Sequence, residues 1–276
     1  MKLYFKLLAF FMLCPFIMQA QATKPCNIGS SASGLQIYNM SFDHWVKEGK
    51  KWCPYSGNAP EKCRVWDTAN QGLSILGING TEPEDEIVAV KGKGKRAAKL
   101  RSTKVLWAFA AGAIYTGRFV RIVNWSGAEI TWGIPFTARP KSLSGYYYYI
   151  PKPINYTKKP YKHLKGTLDK GQIEVILTYW KEPFHIITNS NTFVDVQNDK
   201  HIIGHGELSI ENGTSGYVEF KININYRSDR TPTLLVILAT PSKYGAYFTG
   251  GAGSTLYLDE FRFNYCLLYT SPSPRD

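Results

Sequence analysis

Apolar and polar residues alternate with a period of two along much of this chain. The clearest case is the segment 216–226, in which every second residue from Val218 to Ile224 is apolar and the residues between are polar. Two further runs, 174–180 and 233–240, are rich in β-branched and other apolar residues. Helical periodicity is nearly absent, so these patterns predict a protein built from β-strands.

The strand pattern continues through most of the chain. The last strand carries apolar residues from Leu256 to Phe263, and its alternation slips at Asp259-Glu260, which indicates a β-bulge or a second buried face. The loop 82–95 holds acids followed by bases and is expected to be solvated. Many short strands with few helices favour an all-β fold, a β-sandwich or jelly roll. Further strands are expected at 97–105, 119–123, 129–136, 143–150 and 207–210.

The N-terminal segment 1–22 has the pattern of a signal peptide. Lys2 and Lys6 precede an apolar run, and small residues at Ala20 and Ala22 suit a signal peptidase. A membrane anchor is the alternative, but the run is short of the roughly 20 residues that a span needs. Lipidation at Cys14 is a second alternative. The pattern predicts export to the periplasm, the cell surface or the medium.

The C-terminal residues 266–276 break the strand pattern. They look like the translation of a common transposase sequencing adapter, so we interpret them as an artefact appended to a shortened gene. A natural Pro/Ser-rich tail is the alternative. The remaining chain divides into a lead segment, 23–36, and one domain, 37–265.

Charge narrows the class of partner. The 276 residues carry a formal net charge of +12, and 44% of them are hydrophobic, which is globular composition. A basic balance is typical of proteins that bind nucleic acids or anionic surfaces. Export argues against a nucleic acid as the partner. We therefore expect the positive charge to promote solubility or the binding of an acidic glycan.

Three cysteines, Cys26, Cys53 and Cys63, lie between the signal peptide and the tail 266–276. Cys53 and Cys63 flank a turn-rich loop, and export permits disulfides, so a Cys53–Cys63 bond is predicted with Cys26 unpaired. Three reduced thiols are the alternative.

Several segments resemble one exported family of gut Bacteroidetes, the putative carbohydrate metabolism domain. The most specific are PSKYGAYFTG at 241–250 and GSTLYLDEF at 253–261, and others are YTGRFV at 115–120, PFTARP at 135–140, WKEP at 180–183 and GHGEL at 204–208. The resemblance implies a jelly roll like that of galactose-binding-like carbohydrate modules. It implies no known reaction.

Aromatic residues are the first candidates for a sugar site, since sugar rings stack on Trp and Tyr. Core or rim packing is the alternative for each of them. The candidates are Trp52, Trp66, Tyr147, Trp180, Tyr244 and Tyr247.

Two acids suggest a structural calcium ion. Carbohydrate modules of the resembled architecture often hold calcium near both chain ends, where Asp43 and Asp259 stand. A jelly roll commonly pairs its first and last strands, so we expect these carboxylates within about 8 Å of each other, with one ion between them. A hydrogen-bonded carboxylate that links terminal strands is the alternative.

A second metal set would be His201, His205 and Glu207, which share one face if the strand is regular. Gly204 and Gly206 interrupt that strand, so ordinary edge-strand polar residues are favoured instead. The sequence thus predicts an exported protein that binds a glycan without catalysis. The alternatives are a glycoside hydrolase with two carboxylates, which the sequence does not pick out, and a surface structural or adhesion module.

Overall fold

The structure is a computed structural model, and it describes residues 34–105, 108–124, 127–190 and 192–265. The predicted signal peptide, nearly all of the lead segment, Cys14, Cys26 and the tail 266–276 lie outside those ranges. Within them, no helix is long and apolar enough to cross a membrane.

The described chain is almost entirely strand. Its strands are β1 (Val46–Glu48), β2 (Lys51–Cys53), β3 (Trp66–Thr68), β4 (Thr81–Glu84), β5 (Ala97–Arg101), β6 (Thr103–Val105), β7 (Ala108–Ala110), β8 (Ile114–Val123), β9 (Gly127–Trp132), β10 (Ile134–Pro135), β11 (Ser142–Ile150), β12 (Gly171–Thr178), β13 (Phe184–Ile187), β14 (Ile202–Ile210), β15 (Val218–Asn223), β16 (Asn225–Tyr226), β17 (Leu234–Thr240) and β18 (Thr255–Asn264). The helices are α1 (Asn70–Leu73) and single 3-10 turns at Glu61–Cys63, Ser74–Leu76, Tyr161–Leu164, Thr188–Ser190 and Gly245–Tyr247.

Two antiparallel sheets form a sandwich. The larger sheet has the order β13-β9-β8-β17-β12-β14-β16, with β10 beside β17 and β3 beside β8, and the smaller sheet has the order β15-β11-β18-β5-β4. Strands far apart in sequence are neighbours, as in β8–β17 and β11–β18. The prediction of an all-β jelly-roll sandwich is confirmed.

The main core lies between the two sheets. Ile173, Val175 and Leu177 of β12 are fully buried there, and they belong to one cluster with Leu256 and Leu258 of β18. The residues between them on β12 face away from this core, as the period of two requires. The larger sheet therefore has a second, outer face.

The first described segment lies along the last strand, β18. The amide of Phe261 donates to the carbonyl of Met40 at 2.8 Å, and the Gln36 side chain both accepts from and donates to the backbone of Phe263. The two ends of the domain therefore meet as expected, but the first segment consists of turns and irregular backbone and does not form the predicted strand.

A β-bulge stands where the sequence pattern of β18 slips. The β11–β18 register shifts between Ser144 and Tyr146, and Glu260 adopts a left-handed φ of 48°. The extra residue turns Glu260 toward Lys95, whose Nζ lies 2.5 Å from it and 3.1 Å from Asp43. Asp43 and Glu260 thus share the ammonium group of Lys95.

Asp259 accepts its hydrogen bond from a different partner, so the expected distance of about 8 Å between Asp43 and Asp259 stays a prediction. Asp259 Oδ2 accepts from the amide of Ala89 at 2.7 Å. The bulge sends the consecutive side chains Asp259 and Glu260 to different partners. The Lys95 ammonium lies between Asp43 and Glu260, and calcium binding stays a prediction.

The predicted Cys53–Cys63 disulfide is also wrong. Cys53 ends β2 as a buried free thiol. Cys63, at the end of a 3-10 turn, is disulfide-bonded. Cys53 belongs to β2 and Cys63 to the 3-10 turn Glu61–Cys63. Their short separation in the sequence therefore does not lead to a bond between them.

Candidate functional site on the outer face of the larger sheet

A row of side chains crosses the outer face of the larger sheet. Strand register places Asp67 of β3 opposite Tyr115 of β8, Tyr115 opposite Leu238, Leu238 opposite Glu174, and Glu174 opposite Glu207. Directly opposed residues of antiparallel strands point to the same face. We call these five residues the cross-sheet row. It carries three acids, a phenol and one apolar residue.

One end of the cross-sheet row is a compact polar group. His205 Nε2 lies 2.9 Å from Glu174 Oε1, and Gln172 Nε2 lies 3.2 Å from Glu207 Oε1. Lys243 Nζ lies 2.5 Å from the same Glu207 oxygen. The Lys243 ammonium therefore compensates part of the negative charge of the two carboxylates.

At the other end of the row, Tyr115 is buried and Asp67 is half-buried. Asp67 accepts hydrogen bonds from the amides of Phe119 and Thr68, while burial, the largest effect, raises the pKa of its carboxyl group. Burial also raises the pKa of the neighbouring Tyr115 well above its ordinary value, so the phenol is neutral.

Unpaired polar atoms also lie on this face. Within the described part of the chain, only Tyr115 Oη, Trp132 Nε1 and Asp259 Oδ1 are buried side-chain atoms without a hydrogen-bond partner. Tyr115 and Trp132 lie on the neighbouring strands β8 and β9, two register positions apart. Buried groups of this kind are costly unless water or a ligand pairs with them.

An apolar cluster covers the outer face beyond Glu174. Ile176, Ile202 and Val236 are buried there, and Val194 and Val196 of the segment between β13 and β14 pack on them. The face is therefore closed on this side.

Three tyrosines form a second cluster near the polar end of the row. The rings of Tyr161 and Tyr244 are 4.3 Å apart, those of Tyr161 and Tyr247 are 5.0 Å apart, and Phe193 lies 4.7 Å from Tyr247. All four rings are half-buried, so each keeps part of its surface in contact with solvent. We call Tyr161, Tyr244 and Tyr247 the tyrosine cluster.

Lysines connect and border the tyrosine cluster. Lys243 contacts Glu207 and immediately precedes Tyr244. Lys158 Nζ lies 4.2 Å from the centre of the ring of Phe248, the residue after Tyr247. The cluster and the cross-sheet row thus adjoin through Lys243, and the border of the cluster is basic.

The six aromatic residues predicted for sugar binding have different positions. Tyr244 and Tyr247 meet in the tyrosine cluster, but Trp66 and Trp180 are only 1% and 8% exposed and cannot offer a ring face to a sugar. Their indole nitrogens donate to the Tyr38 carbonyl and to Asp199, so the predicted role is wrong for both.

Tyr147 and Trp52 pack against the main core and lie away from the tyrosine cluster. Tyr147 contacts Phe220, 6.2 Å between ring centres, and half-buried Trp52 has Lys47 over its ring. A sugar-binding role of either residue stays a prediction. Tyr161 was missed because its own segment has no strand pattern and shows its role only beside Tyr244.

Of His201, His205 and Glu207, the structure brings His205 and Glu207 together, and metal binding by them stays a hypothesis. His201 lies before β14 begins, and its ring contacts Asp199 and Tyr179. The β12–β14 register shifts between Leu177 and Thr178, which breaks the alternation that would align His201 with His205. Glu174 of the neighbouring strand takes its place, a contact that no spacing along the chain could indicate.

The sequence of the chain matches one known protein family. The sequence model of the family described as "Putative carbohydrate metabolism domain" matches residues 41–264. No curated protein matches the chain.

Two solved structures share its fold. A protein described as a "putative glycoside hydrolase" from Bacteroides thetaiotaomicron VPI-5482 aligns with a TM-score of 0.64 at 20% identity, over 85% of this chain and 72% of that one. Another with the same description, from Bacteroides vulgatus ATCC 8482, aligns with a TM-score of 0.61 at 19% identity, over 83% of this chain and 98% of that one. At sequence identities this low, the two structural alignments show a common fold only.

Proposed function

Because the chain belongs to the putative carbohydrate metabolism domain family, we propose that it is an exported, non-catalytic protein that binds a glycan during glycan utilisation. The binding surface is the tyrosine cluster together with the polar end of the cross-sheet row. The observation that carries this proposal is the contact between half-exposed tyrosines and a group of hydrogen-bonding side chains through Lys243.

The chemistry of the two parts suits a sugar. Tyrosine rings stack on the C–H faces of a pyranose, and carboxylates, an amide and an ammonium group pair with its hydroxyls. Lys158 and Lys243 border the cluster, and exposed Lys162 follows Tyr161. This border favours a glycan that carries carboxylate or sulfate groups.

Binding measurements on the mature chain test the proposal. A glycan array of neutral and acidic polysaccharides identifies a ligand, and calorimetry then compares variants. We expect Tyr244→Ala and Tyr247→Ala each to weaken binding roughly tenfold, because each removes a stacking surface. Tyr148→Ala is the matched control, since Tyr148 stacks on Tyr257 in the smaller sheet, 5.3 Å between ring centres. Affinity unchanged in both cluster variants, or no ligand on the array, would refute the proposal.

A glycoside hydrolase is the second candidate, and one observation favours it. Glu174 and Glu207 are directly opposed on β12 and β14. Hydrolases of this class use two carboxylates on either side of the bond that they cleave. Release of new reducing ends from the array ligand, lost in both Glu174→Gln and Glu207→Gln, would establish hydrolysis and exclude a purely binding role.

A further inference from the structure

Three ligand-type side chains converge at the polar end of the cross-sheet row. Glu174, His205 and Glu207 each offer one oxygen or nitrogen atom, and these three atoms all lie within 4.8 Å of one another. The side chains are 10%, 15% and 30% exposed. Glu174 and His205 are therefore shielded from bulk water, whereas Glu207 is exposed and leaves the group open to a small ion.

Strand geometry holds the three groups in place. Glu174 is opposite Glu207 in the ladder, and His205 is opposite Ile176, two residues further along the strand that carries Glu174. Strand β12 is paired on both sides over its length, and β14 is paired with β12 throughout and with β16 at Gly204 and His205. The ligand set is thus built on rigid elements, which is what a specific metal site requires.

The pair of carboxylates needs a positive charge. Like charges directly opposite each other on adjacent strands are destabilising. The chain itself supplies compensation from flexible side chains, with Lys243 Nζ at 2.5 Å from Glu207 and Gln172 Nε2 between the two acids, 3.4 Å from Glu174 and 3.2 Å from Glu207. These two groups can move aside, since Lys243 comes from a loop and its ammonium is at the end of a four-carbon chain.

We propose that Glu174, His205 and Glu207 bind one divalent transition-metal ion of the zinc class on the outer face of the larger sheet. One imidazole and two carboxylates form a donor set that suits zinc, cobalt or nickel at about 2.0–2.2 Å. Binding requires the three atoms to draw in around the ion and Lys243 to leave Glu207. The site lies within the proposed glycan-binding surface, but side chains of the protein supply all three ligands, so metal binding can be measured without glycan.

The experiment uses the whole mature chain, treated with chelator and free of any polyhistidine tag. Zn²⁺ is titrated by calorimetry and Co²⁺ by its visible absorption, both without glycan. We expect one ion per chain, a cobalt spectrum of low-symmetry coordination, and a higher melting temperature, because the ion binds only the folded state. His205→Gln and Glu207→Gln should each weaken binding at least tenfold.

Two further variants sharpen the test. His185 lies 3.3 Å from Glu129 but has no third ligand beside it in the described structure, so His185→Gln is the matched control and should bind as the parent does. Lys243→Ala should bind the metal more tightly than the parent, since this substitution removes the ammonium that competes for Glu207. This variant leaves all three ligands in place, so it still tests the proposal if a ligand variant fails to fold. Any one of three results would overturn the proposal: no stoichiometric metal binding by the parent protein, a metal affinity of His205→Gln equal to that of the parent, or weaker metal binding by Lys243→Ala. Glycan binding measured in chelator tests the proposed function separately.

Discussion

Cys53 and Cys63 lie ten positions apart and have different chemical states. Cys53 is buried at the end of β2, and burial, the largest effect, raises the pKa of its thiol. A buried neutral thiol is a poor nucleophile. The residue therefore behaves as a small apolar side chain, whereas Cys63 is part of a crosslink.

Thiol chemistry should separate the two cysteines. In the folded protein we expect Cys53 to resist alkylation at pH 8 and to react at once after denaturation, because only unfolding exposes it. Peptide mapping without reductant should recover the Cys53 peptide as a thiol and the Cys63 peptide crosslinked. Recovery of Cys53 in a crosslink would contradict the structure.

The β11–β18 pair is the element that organises one end of the domain. Its bulge sends Glu260 to Lys95 and leaves Asp259 beneath the loop that follows β4. That loop was expected to be solvated, yet its Ala89 amide and its Lys95 side chain both contact the sheet. Gly145 lies across from the bulge, where an added Cβ would stand 2.6 Å from Phe261 and 3.0 Å from the Asp259 carbonyl.

A methyl group at Gly145 should therefore disturb the bulge. We expect Gly145→Ala to lower the free energy of unfolding by about 1–3 kcal/mol, the usual cost of overpacking a tight site. Urea unfolding gives the value. Gly216→Ala is the control, because nothing lies within 4 Å of the Cβ it adds. Equal stability of the two variants would show that the bulge accommodates a side chain.

The stability of the whole molecule should depend on one buried acid. Asp259 is 1% exposed, and its Oδ1 has no hydrogen-bond partner in the described structure. Burial is the main cause that raises the pKa of its carboxyl group to about 6. Since this pKa exceeds that of the unfolded chain, near 3.9, the folded state binds the proton more tightly.

The sign of the pH dependence follows. The stability that Asp259 contributes is fully present below about pH 4 and is lost as the pH rises through 6. Asp259→Asn stays neutral, so relative to the parent it should gain about 1–3 kcal/mol between pH 4 and pH 7.5. Urea unfolding at both pH values measures this difference. Exposed Glu219 of the same sheet provides the control, Glu219→Gln, and an equal pH response of the two variants would refute the assignment.

Local pattern was sufficient to predict the long strands, but not the short strands β1, β2, β3, β4 and β13. The alternation at 216–226 became β15 and β16, with Phe220, Ile222 and Ile224 buried, and the slip at Asp259-Glu260 became a bulge. Both follow from the backbone itself, because side chains of a strand point to opposite faces in turn.

Which strands become neighbours was decided only by the tertiary structure. Glu174 meets Glu207 and His205 because β12 pairs with β14, and Tyr161 meets Tyr244 although 83 positions separate them. The two-residue period shows to which face of the sheet a side chain points. It is the same for every possible partner strand and register, so it does not select one of them. The sequence by itself therefore determined an all-β domain with two faces per strand. Long-range packing of the two sheets decided which acids, histidine and tyrosines share the outer face, since only the burial of the common core selects one pairing among many.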